Sequence, residues 1–373
     1  MKILYSCLSK SWGGMEMITL TFIKKLLERN IRVELLCIEE SRMHIEANNL
    51  GLIIHAVKAS GYIHPFTTIR ISNIMKRGSF NLVHTQASKD LWLLVPALKL
   101  SVSKIPLFLT KQVGSFIAKK DFLHRYLYNR VNKAFAISTI IKNNLLETTP
   151  LDENKIELLF NAVDTSRFDP IKADRKKVRN EFNFADEDLV LGMVARFSPG
   201  KGHEEFIAAA EKLSVRFSNL KFLIVGEASR GEDDYADRIK KSVKDKNLNN
   251  VIFTGFRSDT PDVLAAMDIF IFPSHAEAFG IALVEALSMA VPSVCSASDG
   301  VLDIAVDGVT SLLFRKRDYS DLTNKTEILI KDPDKRKRFG EASRKRAKEL
   351  FDINFIMDQT IAFYEKELAK SKR

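Results

Sequence analysis

Cysteine is nearly absent from this chain of 373 residues: Cys7, Cys37 and Cys295 are the only three. None forms a CxxC pair or a Cys/His spacing of the kind that holds zinc, so neither a disulfide framework nor a structural metal organises the fold. Each lies at the end of an apolar run, where a buried free thiol belongs, and so few thiols in so long a chain fit a reducing compartment. Sixteen glycines and ten prolines are too few for low-complexity sequence. Long apolar runs are missing as well. The most apolar later segment, Leu91–Leu100, is broken by Pro96 and Lys99 and is about half the length a membrane-spanning helix needs. Near the start, Ile3 to Leu8 gives way at once to Ser9 and Lys10. That is a first strand rather than a secretory leader, and the expected location is the cytoplasm.

Acidic residues are also in deficit. Asp and Glu number 47 against 57 Lys and Arg, a formal charge of +10, which calls for an anionic partner: nucleic acid, a sugar nucleotide or anionic lipid. Several signatures are absent. No GxxxxGK[ST] phosphate loop occurs, and GEASRGED after Val225 lacks GxGxxG spacing. No basic stretch carries a modular nucleic-acid motif, so nucleic acid is not expected as a partner. Asp186-Glu187-Asp188 imitates a metal-binding DxD but precedes a strand instead of following one; it is assigned to a solvated connection. No metal and no cofactor are expected.

What the chain does contain is a repeated alternation of short apolar runs with amphipathic stretches. Strands are expected at Ile3 to Leu8, Val33 to Ile38, Ile53 to Val57, Leu82 to His84, Leu107 to Thr110 and Ala134 to Ile137. The rhythm lapses at DTSRFDPIKADRKK, 164 to 177, and restarts with Leu189 to Ala195, Phe222 to Val225, Val251 to Thr254, Asp268 to Phe272 and Ser293 to Cys295. This is the α/β pattern of two doubly wound parallel sheets, 1–170 and 171–351, with ligands at the carboxyl ends of the strands. The last helix, 352–373, is expected to pack back on the first domain.

The most informative stretch is GFRSDTPDVLAAMDIFIFPSHAEAFGIALVEALS, 255 to 288: a strand, a polar loop with Glu277, and a helix read as Phe279 to Met289. The amides of Phe279, Gly280 and Ile281 open that helix without intrahelical acceptors and favour an anion such as phosphate. Glu285, six residues in and about 9 Å along the axis, suits the cis-diol of a ribose; Glu277 suits a pyranose. Together they outline a sugar nucleotide. In ARFSPGKGHEEF, Arg196 and Lys201 precede another helix and suit a diphosphate, Arg196 through two donors and Lys201 as a point charge. Gly13 and Gly14 open a helix with Glu16 in its first turn; this pair is either a site of close ligand approach or a plain turn. His84 is expected at the carboxyl edge of its strand, either as a catalytic or sugar-binding group or as a satisfied structural histidine.

With these motifs in place the chain resembles the retaining glycosyltransferases of the GT-B fold, family 4, which include bacterial lipopolysaccharide and capsule enzymes. The resemblance runs through GGME, the strand-end His84, NAVDTSRF, ARFSPGKG, TGFRSD to FPSHAEAFGIALVEAL, and VPSVCSASDGVLDIAVDGVTSLLF. It implies two Rossmann-like domains facing across a cleft, with Glu277 and Glu285 as a pair contacting donor sugar and ribose, Arg196 with Lys201 on the diphosphate, and His84 near the transferred sugar. It also implies a hexose-type transfer from a nucleotide sugar, UDP favoured, to a glycan or lipid-linked acceptor, with retention of configuration. Two loops depart from the family pattern: Asp299-Gly300 with Asp303 replaces Gly-Gly followed by Glu, and Gly226-Glu227-Ala228 replaces a strand-end GxG. An epimerase or phosphorylase of the same fold is the competing enzymatic reading, and a non-catalytic nucleotide-sugar-binding subunit is the other.

One segment stands apart. Between Lys111 and Lys133 lie Lys111, Lys119, Lys120, Arg125, Arg130 and Lys133 against one acid, Asp121, interleaved with Phe116, Phe122, Tyr126 and Tyr128. Two readings stand: a peripheral contact with anionic membrane, each basic side chain adding about 1 kcal/mol, or a solvated helix whose aromatics are core.

Overall fold

The computed structural model of the chain describes residues 1–229 and 231–371. It divides into two compact units, Met1–Asn161 with the C-terminal segment from Ile353, and Ala162–Asp352. In the first, strands β1 (Lys2–Cys7), β2 (Arg32–Ile38), β3 (Ile53–Val57), β4 (Leu82–Thr85), β5 (Leu107–Lys111), β6 (Lys133–Ala136) and β7 (Ile156–Leu158) form one sheet in the order β3-β2-β1-β4-β5-β6-β7. Every pairing is parallel. Between the strands run α1 (Gly14–Glu28), α2 (Arg42–Asn49), α3 (Pro65–Gly78), α4 (Leu91–Leu100), α5 (Phe122–Asn129) and α6 (Thr139–Thr148). Central strands such as β1 and β5 are buried at nearly every position because helices cover both faces. The strand order reverses between β1 and β4, and there buried Asp90 accepts hydrogen bonds from Ser6 Oγ, the Leu8 amide and Thr85 Oγ1, fixing the two strand ends together.

The second unit opens with α7 (Arg175–Glu181) and carries β8 (Leu189–Val194), β9 (Leu220–Val225), β10 (Val251–Gly255), β11 (Ile269–Phe272), β12 (Ser293–Ser296) and β13 (Ser311–Phe314), parallel and ordered β10-β9-β8-β11-β12-β13. Its further helices are α8 (His203–Arg216), α9 (Asp233–Asp245), α10 (Thr260–Ala266), α11 (Ile281–Ser288), α12 (Val301–Ile304), α13 (Tyr319–Lys331) and α14 (Pro333–Leu350); α15 (Ile353–Ser371) belongs to the first unit. Leu191, Met193, Phe206, Phe222, Ile224 and Ile271 are among the buried side chains that fill the second core. Here the order reverses between β8 and β11, the arrangement that leaves a ligand crevice beyond two strand ends. Both sheets are doubly wound and Rossmann-like.

Residues 162–170, expected in the first domain, lie in the second unit. The Val163 amide donates to Phe351 O at 2.9 Å and Thr165 Oγ1 to Asp352 Oδ2 at 2.5 Å, so this segment is fastened to the end of α14. Asp188 is another correction: it is buried rather than solvated, accepting from the Ala185 amide while its carbonyl accepts from Arg179. Among the basic residues of α14, Arg336, Arg344 and Arg346 donate to backbone carbonyls, so only part of that run is a solvated face. The three cysteines are buried free thiols.

Candidate functional site

In the second unit, β8 and β11 are neighbours, so the loops leaving their carboxyl ends are brought side by side although about eighty residues separate them in the chain. The first loop carries Arg196, Gly200, Lys201 and Gly202; the second carries Ser274, His275 and Glu277. Three contacts join them. The His275 amide donates to Gly200 O at 2.8 Å, Lys201 Nζ lies 2.7 Å from Glu277 Oε1, and Gly202, at φ +83°, approaches Pro273 so closely that a Cβ would lie 2.3 Å from its carbonyl oxygen. Glycine is therefore required at 202 by both conformation and space. Ser274 Oγ also donates to Glu277 Oε1, at 2.7 Å, so the half-buried Glu277 carboxylate is held by a cation and a hydroxyl at once.

The helix after Glu277 starts later than its apolar spacing suggests. Gly280 is the N-cap, at φ +119° and ψ 60°, and α11 begins at Ile281. A left-handed cap of this kind favours glycine, and with it in place the amides of Ile281 and Ala282 have no acceptor one turn back. Phe279 precedes the cap, and its buried ring packs edge-on to Phe351, centroids 5.7 Å apart. Glu285 is consequently four residues beyond the first helical residue, about 6 Å along the axis rather than 9. Burial raises its carboxyl to about 7, opposed by the charge of Arg167.

Arg196 is exposed, and its guanidinium meets Ser229 Oγ at 2.8 Å and Glu232 Oε2 at 3.8 Å. Glu232 also accepts from Ser198 Oγ, at 2.5 Å. Each of the two phosphate-suited cations thus rests on a carboxylate of its own unit: Lys201 on Glu277, Arg196 on Glu232. Sequence reasoning missed Ser229, Glu232, Ser274 and His275. His275 Nε2 pairs with Glu205 Oε1 at 2.7 Å, a link from loop to helix for which one-dimensional spacing gives no signal.

In the first unit, Gly13 caps α1 in an extended conformation, and a Cβ there would meet Glu16 Oε2 only at an ordinary 3.7 Å; nothing in that unit itself demands glycine. Gly14 is the first residue of α1. His84 is placed differently from expectation. β4 runs on to Thr85, so His84 is an interior strand residue paired with Tyr5 and Phe108. Its side chain, 1% exposed, is bonded to Tyr364 of α15 through Nδ1 and to Thr110 through Nε2. With both ring nitrogens taken inside the core, the structural alternative describes this histidine and the sugar-contacting one does not. The carboxyl edge carries instead a buried amide chain: Gln112 donates to Gln86 Oε1 at 2.7 Å, and Asn161 donates to Gln112 Oε1 at 2.8 Å.

Burial pushes His84 down to about 3. It pushes His203, stacked on Phe197 with neither ring nitrogen bonded among the described residues, to about 4. Both are below the unfolded value of about 6.5, so the stability they support is present above pH 6.5 and drains away as pH falls towards 4. The expected loss is about 1.4 kcal/mol per pH unit per histidine. Thermal melts from about pH 7 down to about 4.5 check this: the slope should shrink in His84→Gln, and a pH-independent melting temperature would show that the fold does not hold these rings neutral.

Known proteins agree with this architecture. Residues 174–346 match the family described as "Glycosyl transferases group 1", and residues 12–167 match "Glycosyltransferase Family 4". The capsular polysaccharide biosynthesis glycosyltransferase CapM of Staphylococcus aureus is 28% identical over 243 residues, 64% of this chain and 62% of that protein, so the match spans less than two thirds of that relative. An N,N'-diacetylbacillosaminyl-diphospho-undecaprenol alpha-1,3-N-acetylgalactosaminyltransferase of Campylobacter jejuni is 24% identical over 363 residues, 92% of this chain and 93% of that one. Among solved structures, a glycosyltransferase of Rickettsia africae superimposes with TM-score 0.89 at 22% identity, covering 99% of this chain and 98% of that chain. Anabaena HepE with UDP and glucose gives 0.83 at 21%, covering 98% and 99%. The fold is GT-B. Since the two family matches together account for nearly the whole sequence and the structural neighbours share its two-sheet architecture, the chain belongs to the group 1, family 4 glycosyltransferases.

Proposed function

We propose that the enzyme moves a hexose-type sugar from a UDP-sugar to a glycan or lipid-linked acceptor with retention of anomeric configuration and without a metal. The observation that carries this reading is the pairing of Lys201 with Glu277 beside the N-terminus of α11, with Glu285 one turn further on. Cations, open amides and carboxylates suit, in that order, a diphosphate, its leaving charge, and the hydroxyls of sugar and ribose. The structural likeness to HepE, solved with UDP-glucose, and the undecaprenol-linked name of the Campylobacter relative support the choice of donor and acceptor class.

In this mechanism Arg196 and Lys201 take up the charge that develops on the departing diphosphate as its bond to the anomeric carbon breaks. The acceptor oxygen bonds to that carbon from the same face, and its proton passes to the leaving phosphate oxygen. Glu277 holds the sugar by its hydroxyls, and Glu285 the ribose diol. A panel of UDP-, GDP- and ADP-sugars followed by proton NMR is the test. An α-configured UDP-sugar should give an α-linked product, or α-configured free sugar by slow hydrolysis, in the presence of chelator as in its absence. A β-configured product, or activity restored only by Mg²⁺ or Mn²⁺, would overturn the retaining, metal-free reading.

The same proposal places the enzyme peripherally on anionic membrane through 111–133. Lys111 and Lys133 do not serve this: both are buried, Lys111 on Ser88 Oγ and Lys133 on Glu157. Arg130 donates to the carbonyls of Ser103 and Ile105. Lys119, Lys120 and Arg125 are left to face a lipid surface. The described helices include none long and apolar enough to cross a membrane.

A further inference from the structure

The basic and aromatic residues of 111–133 fall into the opposite roles from those a solvated amphipathic helix would give them. Three cations are built into the fold, whereas Phe116 is fully exposed, Phe122 is 81% exposed, and Ile117 and Leu123 are largely bare; only Tyr128 of the aromatics is core. On α5, Leu127 and Tyr128 face inward while Phe122, Leu123 and Tyr126 face out.

A second bare apolar lobe lies nearby, one that periodicity does not single out. Ile63 and Phe66 are 77% and 87% exposed at the start of α3, with Tyr62 and Ile69 half to two-thirds exposed beside them. Thr68, Ile71, Ser72 and Met75 occupy the buried side of that helix. Rings connect the lobes: Tyr62 lies 5.4 Å from Trp92 of α4, and Trp92 lies 5.6 Å from His124 of α5, in each case between centroids. Lys89 sits over Tyr62 at 5.4 Å, and Lys99 over Tyr126 at 5.3 Å. The two lobes are therefore parts of one surface.

The charge around it is mostly positive. From Lys58 to Arg130 there are twelve Lys and Arg and two acids. One acid, Asp90, is buried, and the other, Asp121, caps α5. Bare apolar surface of this extent marks an interaction site. Protein interfaces are depleted in Lys at their centres, whereas aromatics flanked by Lys and Arg suit the boundary between acyl chains and anionic headgroups.

We propose that this face of the first unit docks on an anionic bilayer. Ile63 and Phe66 from one lobe and Phe116 and Phe122 from the other enter the acyl boundary, with Arg70, Lys89, Lys99, Lys119, Lys120 and Arg125 among the headgroups. This deepens the membrane-linked acceptor reading above, on which it rests for its purpose but not for its test.

The test is flotation of the full chain with phosphatidylcholine vesicles, with and without phosphatidylglycerol, in the absence of any sugar donor, with UDP binding measured in parallel. Wild-type protein should float with the anionic vesicles and be released by salt. Phe66→Ser with Phe122→Ser should lower partition about tenfold or more, given the apolar area each ring buries. Lys119→Glu with Lys120→Glu and Arg125→Glu should abolish the preference for phosphatidylglycerol. Phe66, Phe122, Lys120 and Arg125 are exposed and Lys119 is half-buried beside Lys111; both variants should keep wild-type UDP affinity, and the melting temperature of each is measured alongside. Wild-type protein that stays unbound at low salt overturns the dock, as does flotation unchanged in both variants. So does a dimer in solution that the Phe variant dissociates while no form floats. Flotation without UDP binding would leave the dock standing and remove the donor reading instead.

Discussion

Lys201→Ala is expected to lower kcat by about 10²–10³-fold, the range for removing a preorganised group aimed at developing charge. In the proposed mechanism the side chain has two roles: a cation for the charge that builds on the leaving diphosphate, and, as the structure shows, a 2.7 Å contact that holds Glu277. Glu277→Ala should also abolish transfer while leaving bare UDP bound, since that carboxylate is assigned to the sugar rather than the nucleotide. Arg196→Ala should fall at the lower end of the same range because the guanidinium is exposed to solvent where it rests on Ser229 and Glu232. Circular dichroism melts must accompany the kinetics. An unchanged kcat/KM with a lowered melting temperature in Lys201→Ala would make the Lys201–Glu277 pair a brace between two loops and nothing more.

Affinity for a UDP-sugar is expected to rise with pH until about 7 and then level off. Glu285 is held near 7 by burial, so below that pH the free protein carries a proton on the carboxyl. A ribose diol donates hydrogen bonds and needs the carboxylate as acceptor, so binding must expel that proton, and Kd should weaken about tenfold for each pH unit below 7. A UDP-sugar is the right probe because bare UDP has a terminal phosphate that titrates in the same range. Glu285→Gln should bind more weakly and lose the pH dependence. A flat wild-type profile across this range would mean that Glu285 does not take the diol.

Much of the fold was legible because it rests on strong local signals. Eleven apolar runs, from Ile3 to Cys295, became strands within a residue or two of their expected ends. β7 and β13 were missed: both are short strands at a sheet edge. The places of Arg196, Lys201 and Glu277 in strand-end loops and of Glu285 on the following helix were legible because strand-loop-helix junctions leave a clear sequence pattern. His84 was misplaced because sequence cannot tell a strand's last residue from its last but one, and that single step turns the ring into the core beneath Tyr364. Glu232 lacked any signal, since its meaning comes from Arg196 and Ser198, supplied by another loop. The basic-aromatic segment had the right composition, but composition does not say which side chains the fold consumes. Lys111, Arg130 and Lys133 were consumed; Phe116 and Phe122 were not.

The account's central claim is that a sugar nucleotide is held at the β8/β11 crossover of the second unit, with its sugar on Glu277 and its ribose on Glu285. Calorimetric titration of UDP above pH 7 into the wild-type, Glu277→Ala and Glu285→Ala proteins tests it most directly. The account predicts that wild type binds UDP, that Glu277→Ala binds it within about threefold of wild type, and that Glu285→Ala loses about 1–3 kcal/mol of binding, as when buried hydrogen-bond partners are removed. Equal UDP affinity in all three proteins, or no binding by wild type, would contradict it.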